Sequence, residues 1–475
     1  MYSDLALFID GKWLKGEGRK GEDVINPATA KPIAELPHAS TADLDTALAA
    51  AAKGFAQWKA TSAYDRSKLM RKAADLLRER HDLVSKVMVA EQGKIYAEAR
   101  GEVLTSADII DWYAEEGRRA YGRIVPGRQP GVRQMVMQEP VGIVAAFTPW
   151  NFPVLTPVRK IAGALAAGCS IIIKASEETP GGCVELVRCF ADAGVPAGVI
   201  NLVFGVPAEV SEHIIASKSV KKISFTGSVP VGKHLAALAA KGMKRATMEL
   251  GGHSPVVVFE DADPEKAADI IAGFKYRNAG QVCISPTRFY VHEKNYSKFV
   301  ARFTDYAKGL KLGDGMEKGI NMGPLANARR LDAMDSFVAD AKDRGAKIVT
   351  GGSRRGNQGF FYEPTVITDV PDDSKIMTEE PFGPVAPIVT FKDFDEVVAR
   401  ANSLEFGLAA YAFTTSDKNA AAIGDAMQSG MVGVNSVAIS TPETPFGGIK
   451  ESGYGSEGGL EGLSAYLNTK FISQG

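Results

Sequence analysis

The chain has 475 residues, 45% hydrophobic and 23% charged, with 55 Lys plus Arg against 56 Asp plus Glu. That length is more than one hydrophobic core can serve, so two or three domains are expected; the charge balance offers no basic footprint for nucleic acid or an anionic membrane. No uncharged apolar run reaches the roughly 18 residues of a membrane helix, the N-terminus has no basic segment ahead of an apolar one, and four cysteines without CxxC spacing argue for a reducing, cytoplasmic setting and against disulfides or a zinc site.

Taken in order, residues 43–60 and 64–98 read as amphipathic helices with apolar residues at helical spacing. Residues 132–142 carry a strand pattern that interrupts the first domain. "VGIVAAFTPWNFP" (141–153) reads as a buried strand running into a loop, and 153–168 as a helix with Pro at its start and Gly at its end. Strand "CSIIIKAS" (169–176), helix 181–194, strand 199–205, helix 209–217 and strand 221–228 continue the alternation. Strands apolar throughout and separated by helices predict a parallel sheet covered on both faces, a doubly wound α/β domain. Residues 253–435 repeat the alternation, with "SPVVVFE", "RFYVHE" and "AYAFTT" as strands, and predict a second α/β domain. The 132–142 strand and the tail 465–473 fit neither core, and exposed strand edges invite another chain.

In such sheets ligands bind at the C-terminal strand ends. There the sequence places Gly227-Ser228 with Gly232 beyond, at a helix start suited to a diphosphate, although GxGxxG is absent. Lys174 and Glu177 at another strand end could bond ribose hydroxyls or could be solvated surface charges. Asn151, between Trp150 and Phe152, could be a turn residue or an amide held in a pocket. Glu249 sits in an apolar strand, where an unpaired carboxylate has a raised pKa suited to a general base. Cys283, in "NAGQVCISPTR", is either a small buried hydrophobe or a nucleophile.

Six motifs in order bring these residues together: "TPWNFP" (148–153), "FTGS" (225–228), "MELGG" (248–252), "GQVC" (280–283), "EEPFGP" (379–384) and "PFGGIKESGYG" (445–455). With them the chain resembles the NAD(P)-dependent aldehyde dehydrogenase superfamily over essentially its whole length. The resemblance implies a Rossmann-like cofactor domain (1–121 and 142–252), a second α/β catalytic domain (253–459) and a small β oligomerisation element (122–141 and 460–475), hence a homo-oligomer, dimer or tetramer. It implies Cys283 as nucleophile, Glu249 as general base, and Asn151 as oxyanion donor, with Lys174 in both the catalytic and the cofactor sets. Implied cofactor contacts are Thr148, Pro149, Trp150, Lys174, Ser176, Glu177, Gly205, Phe225, Thr226, Gly227, Ser228, Val231, Leu250, Glu380 and Phe382. NAD is the expected cofactor, with NADP possible, because the charge of Glu177 opposes a 2′-phosphate.

The chemistry agrees with those roles. An aldehyde gives up hydride once a thiolate has made its carbon tetrahedral, and the oxyanion so formed needs preorganised donors. A base such as Glu249 then releases the acid from the thioester by hydrolysis, whereas relatives passing the acyl group to coenzyme A are expected to lack it. Arg159, Arg277 and Ser440 resemble the succinate-semialdehyde dehydrogenase group, where matching residues hold the substrate's far carboxylate. Arg suits that task because it binds carboxylate bidentately and stays charged; a structural salt bridge is the other reading of each Arg. Glutarate semialdehyde, 2-oxoglutarate semialdehyde and uncharged aldehydes remain alternatives, as, more remotely, does a noncatalytic homologue. Ser285 stands where some members carry a second Cys, so no vicinal disulfide can form.

Overall fold

The apolar runs between residues 143 and 250 line up as one sheet in the computed structural model, which describes residues 2–475. Ile143–Phe147, Ser170–Lys174 and Ile200–Val203 are buried at every position, which requires cover on both faces. Across the sheet the order is Ile200–Val203, Ser170–Lys174, Ile143–Phe147, Val220–Gly227, Arg245–Leu250, all parallel. The chain enters at Ile143–Phe147, runs to one side, then crosses back to Val220–Gly227. That reversal opens a crevice at the C-terminal ends of those two strands.

The apolar runs alone suggested a purely parallel sheet, and the edges depart from that. They are short antiparallel strands, Leu7–Ile9 with Lys12–Leu14 on one side and Gly453–Tyr454 on the other. Short edge strands are a common way to blunt open hydrogen-bonding edges, and strands of two or three residues carry no readable period. A second sheet runs Lys347–Thr350, Thr365–Thr368, Val385–Phe391, Pro286–His292, Ser254–Val258, Ala409–Phe413, Met431–Val434, parallel except at its Lys347–Thr350 edge. Each sheet has its own core, Leu463 and Tyr466 packing with the first and Phe152 with the second. Arg123–Pro126, Arg133–Pro140 and Leu467–Gln474 form a separate antiparallel sheet whose last strand is almost wholly exposed.

Two helix expectations are corrected. The 64–98 stretch is not one helix but Ala63–Glu79, His81–Gln92 and the start of Tyr96–Glu116. Gly93 ends the middle one at φ 92°, wedged so that a Cβ would lie 2.8 Å from both Pro27 and Pro324. The helix expected at 153–168 begins at Leu155, because the Val154 and Leu155 amides are taken by the Glu102 carboxylate; Gly168 ends it at φ 92° as expected. Among the described residues, no helix is long and apolar enough to cross a membrane.

Candidate active site

A cavity of about 860 Å³ opens between the C-terminal strand ends of the first sheet and the loops that lead into Pro286–His292 and Val385–Phe391 of the second. Cys283 reaches it from a loop of unusual conformation. After the Pro264–Tyr276 helix, Asn278, Ala279 and Gly280 all take left-handed φ (50°, 51° and 73°). For non-glycine residues this costs about 1–3 kcal/mol each and persists only where surroundings impose it. Here they do: the Asn278 amide donates to Glu98 Oε1 (3.1 Å), its side chain donates to the Asn151 and Gln281 carbonyls (3.1 and 3.3 Å), and Gln281 Oε1 accepts from Ala326 N (2.9 Å). Gly280 is needed for space as well, since a Cβ would sit 2.2 Å from the Gly383 carbonyl oxygen.

The Cys283 sulfur is half-buried on the cavity wall. Burial first, then the charges of Glu380 and Glu249, push its thiol up to about 12. Cys169, Cys183 and Cys189 are buried away from the cavity. Glu249 lines the same cavity and is 2% exposed, neither carboxylate oxygen having a hydrogen-bond partner among the described residues. Burial, and next the charge of Glu457, raise its pKa well above the carboxylate range. Asn151 is on the cavity wall as well, its Nδ2 donating to the Gln281 carbonyl (3.1 Å).

Arg159 projects from the Leu155–Ala167 helix and is 2% exposed. Its Nη2 donates to Ser440 Oγ (2.9 Å) and its guanidinium covers the Phe446 ring at 4.7 Å, but Nε and Nη1 have no partner among the described residues. Arg277 is half-buried, 5.4 Å from the ring centres of both Phe152 and Phe274. Neither arginine forms a salt bridge among the described residues.

The expected cofactor residues divide. Pro149, Trp150, Thr226, Gly227, Ser228, Leu250, Glu380 and Phe382 line the same cavity. Trp150 and Phe382 meet edge to face at 5.4 Å, and Glu380 Oε1 accepts from Gly252 N (3.2 Å), its carboxyl raised to about 7 by burial. Thr148, Lys174, Ser176, Glu177, Gly205, Phe225 and Val231 lie outside the lining, at or beyond neighbouring strand ends. Lys174 and Glu177 pair with each other, Phe225 is buried, and Val231 is exposed. A dinucleotide fits this surface. Ser228 precedes the Val229–Lys241 helix without a side-chain cap bond, leaving first-turn amides open to a diphosphate. Gly232 lets that helix approach its strand, since a Cβ would meet Leu250 at 2.3 Å, and Thr148 Oγ1 is buried without a partner. Among the described residues, no three His, Cys, Asp or Glu side chains gather as metal ligands.

Sequence reading missed Lys94, Glu98, Glu102, Asn327, Arg330, Phe446 and Glu457, all on the cavity wall. Glu98 and Glu102 do stand one helical turn apart, but that spacing alone does not say which way the face points.

Residues 13–472 match the aldehyde dehydrogenase family. The chain belongs to that family. Aldehyde oxidation is therefore its chemistry, and the noncatalytic alternative falls away. The enzyme is 46% identical over 472 residues to the 4-(hydroxymethyl)benzenesulfonate dehydrogenase of Comamonas testosteroni, covering 99% of this chain and 98% of that one. It is 39% identical over 467 residues to the NADP(+) succinate-semialdehyde dehydrogenase of Escherichia coli, covering 98% and 97%. The crystal structure of succinate-semialdehyde dehydrogenase from Burkholderia pseudomallei superposes with a TM-score of 0.97 at 39% identity, covering 99% and 98%.

Proposed function

We propose that this aldehyde dehydrogenase oxidises an aldehyde bearing an anionic group at its far end, succinate semialdehyde being the leading candidate. The observation that carries this is Arg159: a buried guanidinium with two nitrogens unspent, on the wall that also holds Cys283 and Glu249. A buried cation is costly without a counter-charge, and a carboxylate seated on Arg159, Ser440 and Arg277 supplies one. In this reading Cys283 Sγ gives up its thiol proton to water in the cavity as it adds to the carbonyl carbon, and the Asn151 side-chain amide with the Cys283 backbone N–H holds the oxyanion. A bound nicotinamide supplies the hydride acceptor. Cys283 then carries a thioester, and Glu249 takes a proton from the water that releases the acid.

The lining also favours a second reading. Phe152, Phe274 and Phe446 put aromatic rings beside both arginines, a setting for an aryl aldehyde with a sulfonate, the group in the name of the Comamonas relative. The deciding experiment is a panel of succinate, glutarate and 2-oxoglutarate semialdehydes, 4-sulfobenzaldehyde and uncharged aldehydes of matched length, run with NAD and NADP separately. Efficiency highest for an uncharged aldehyde would overturn the proposal.

For the cofactor, Glu177 beside Lys174 supports NAD: a carboxylate at the adenosine ribose repels a 2′-phosphate. Glu177→Ser is expected to raise kcat/KM with NADP and lower it with NAD. A parent enzyme clearly more efficient with NADP would refute this.

Glu249 in the base role sets a pH dependence. It works unprotonated, and its pKa is raised, so turnover should fall as pH drops through a value above the ~4.3 of an ordinary Glu. Glu457→Gln removes a like charge and should move that acid limb of the kcat profile to lower pH. An unmoved limb would assign it to another group.

The remaining assignments extend this reading. The outlying strand-end residues Ser176, Gly205, Phe225 and Val231 complete the cofactor surface. The three-stranded sheet, with Ile124, Met137 and Phe471 exposed, serves a cytoplasmic homo-oligomer.

A further inference from the structure

We propose that the buried Lys94–Glu102 pair is a positioning device for the oxyanion-binding amide, an inference that rests on the reading of Asn151 as that donor. Both side chains are 1% exposed. Lys94 Nζ donates to Glu102 Oε2 (2.5 Å) and to the Asn151 carbonyl oxygen (2.9 Å), and lies 4.3 Å from the centre of the Phe152 ring. Glu102 Oε1 accepts from the Val154 and Leu155 amides (2.9 and 3.0 Å). The pair thus grips the 151–155 segment at both ends: by the carbonyl of Asn151 itself, and by the first amides of the helix carrying Arg159.

The same carbonyl is also held from a second element. Asn278 Nδ2, from the Cys283 loop, donates to it at 3.1 Å. A carbonyl oxygen has two lone pairs, and here each is committed, one to Lys94 and one to Asn278. The Asn151 peptide cannot rotate without losing one of them, so the direction of its Cα–Cβ bond toward the cavity is set. A buried ion pair is an inefficient source of stability, since apolar residues of similar volume often do as well or better. What this pair supplies and an apolar pair could not is a directed donor on the carbonyl and a charged acceptor at the helix N-terminus.

The test is a double-mutant cycle on acylation, read as the burst of reduced cofactor in rapid mixing with saturating NAD and aldehyde. Lys94→Met keeps length and bulk but removes the donors. Asn151→Ala removes the amide yet keeps the backbone carbonyl that Lys94 grips. A displacement of about 1 Å in a catalytic group can cost roughly 100-fold, so Lys94→Met is expected to slow the burst by up to that factor in the parent. In Asn151→Ala it should slow the burst little further, because the group it positions is gone. NAD binding, followed by fluorescence titration, should be unchanged. If Lys94→Met does not accumulate as folded protein, Glu102→Gln runs the same cycle, keeping an acceptor for the two amides while removing the charge that holds Lys94. Equal losses in both backgrounds, or no loss in the parent, would overturn the proposal. An Asn151→Ala enzyme that acylates at the parent rate would overturn the donor reading itself, and this inference with it.

Discussion

Cys283→Ser is expected to abolish turnover, and Glu249→Gln to stop it after one stoichiometric burst of reduced cofactor. The two variants separate the halves of the reaction. A neutral hydroxyl is a far weaker nucleophile than a thiolate, so the serine enzyme should lose several orders of magnitude in rate and show no burst. With Glu249 as the base of the hydrolytic half, as proposed, it acts after hydride has left, so the glutamine enzyme should still form the thioester on Cys283 and then stall. The resting geometry makes this a demanding test. The Cys283 thiol is pushed up to about 12 by burial and by the nearby Glu380 and Glu249 charges, so its proton must be removed as it attacks. If Glu249, whose oxygens have no other hydrogen-bond partner among the described residues, removes that proton too, Glu249→Gln would give no burst. That outcome would move Glu249 ahead of hydride transfer in the sequence of steps.

The second large effect is substrate-selective. Arg159→Ala should cut kcat/KM for succinate semialdehyde while leaving butanal, which has the same carbon count without the charge, nearly unchanged. A hydrogen bond to a charged group contributes about 1.5–3 kcal/mol, and each 1.4 kcal/mol is tenfold, so the expected loss is roughly 10- to 150-fold. Tm should change little, because Arg159 has no carboxylate partner to lose and two of its nitrogens are already unpaired. Arg277→Ala should act in the same direction. It stands over Phe152 and Phe274, so its removal also takes away packing against the substrate's path. Equal losses for both substrates in both variants would sink the far-carboxylate assignment and point to an uncharged aldehyde.

Much of the architecture was legible from pattern. Ile143–Phe147 and Ser170–Lys174 are apolar at nearly every position because they are covered on both faces, and that burial is written locally. The short antiparallel strands Leu7–Ile9 and Gly453–Tyr454 were not legible: each takes its place from a partner elsewhere in the chain, not from its own period. The break at Gly93 likewise depends on Pro27 and Pro324 closing on it.

By itself, then, the sequence determined the α/β alternation and the family resemblance, and it pointed to the residues proposed to carry the chemistry, because hydrophobic period and short motifs are local properties. The tertiary structure alone decided how those residues are held. Left-handed Asn278 and Ala279 have no signature of their own; Glu98, Asn151 and Ala326 impose that conformation through hydrogen bonds spanning tens to more than a hundred residues. For Arg159 the sequence favoured a substrate carboxylate but left a salt bridge open, and only the packed structure shows it buried without a carboxylate. Lys94 and Glu102 are ordinary charges in sequence. They become a clamp because folding desolvates both beside the Asn151 carbonyl, where their remaining polar partners are the backbone groups of the segment they hold.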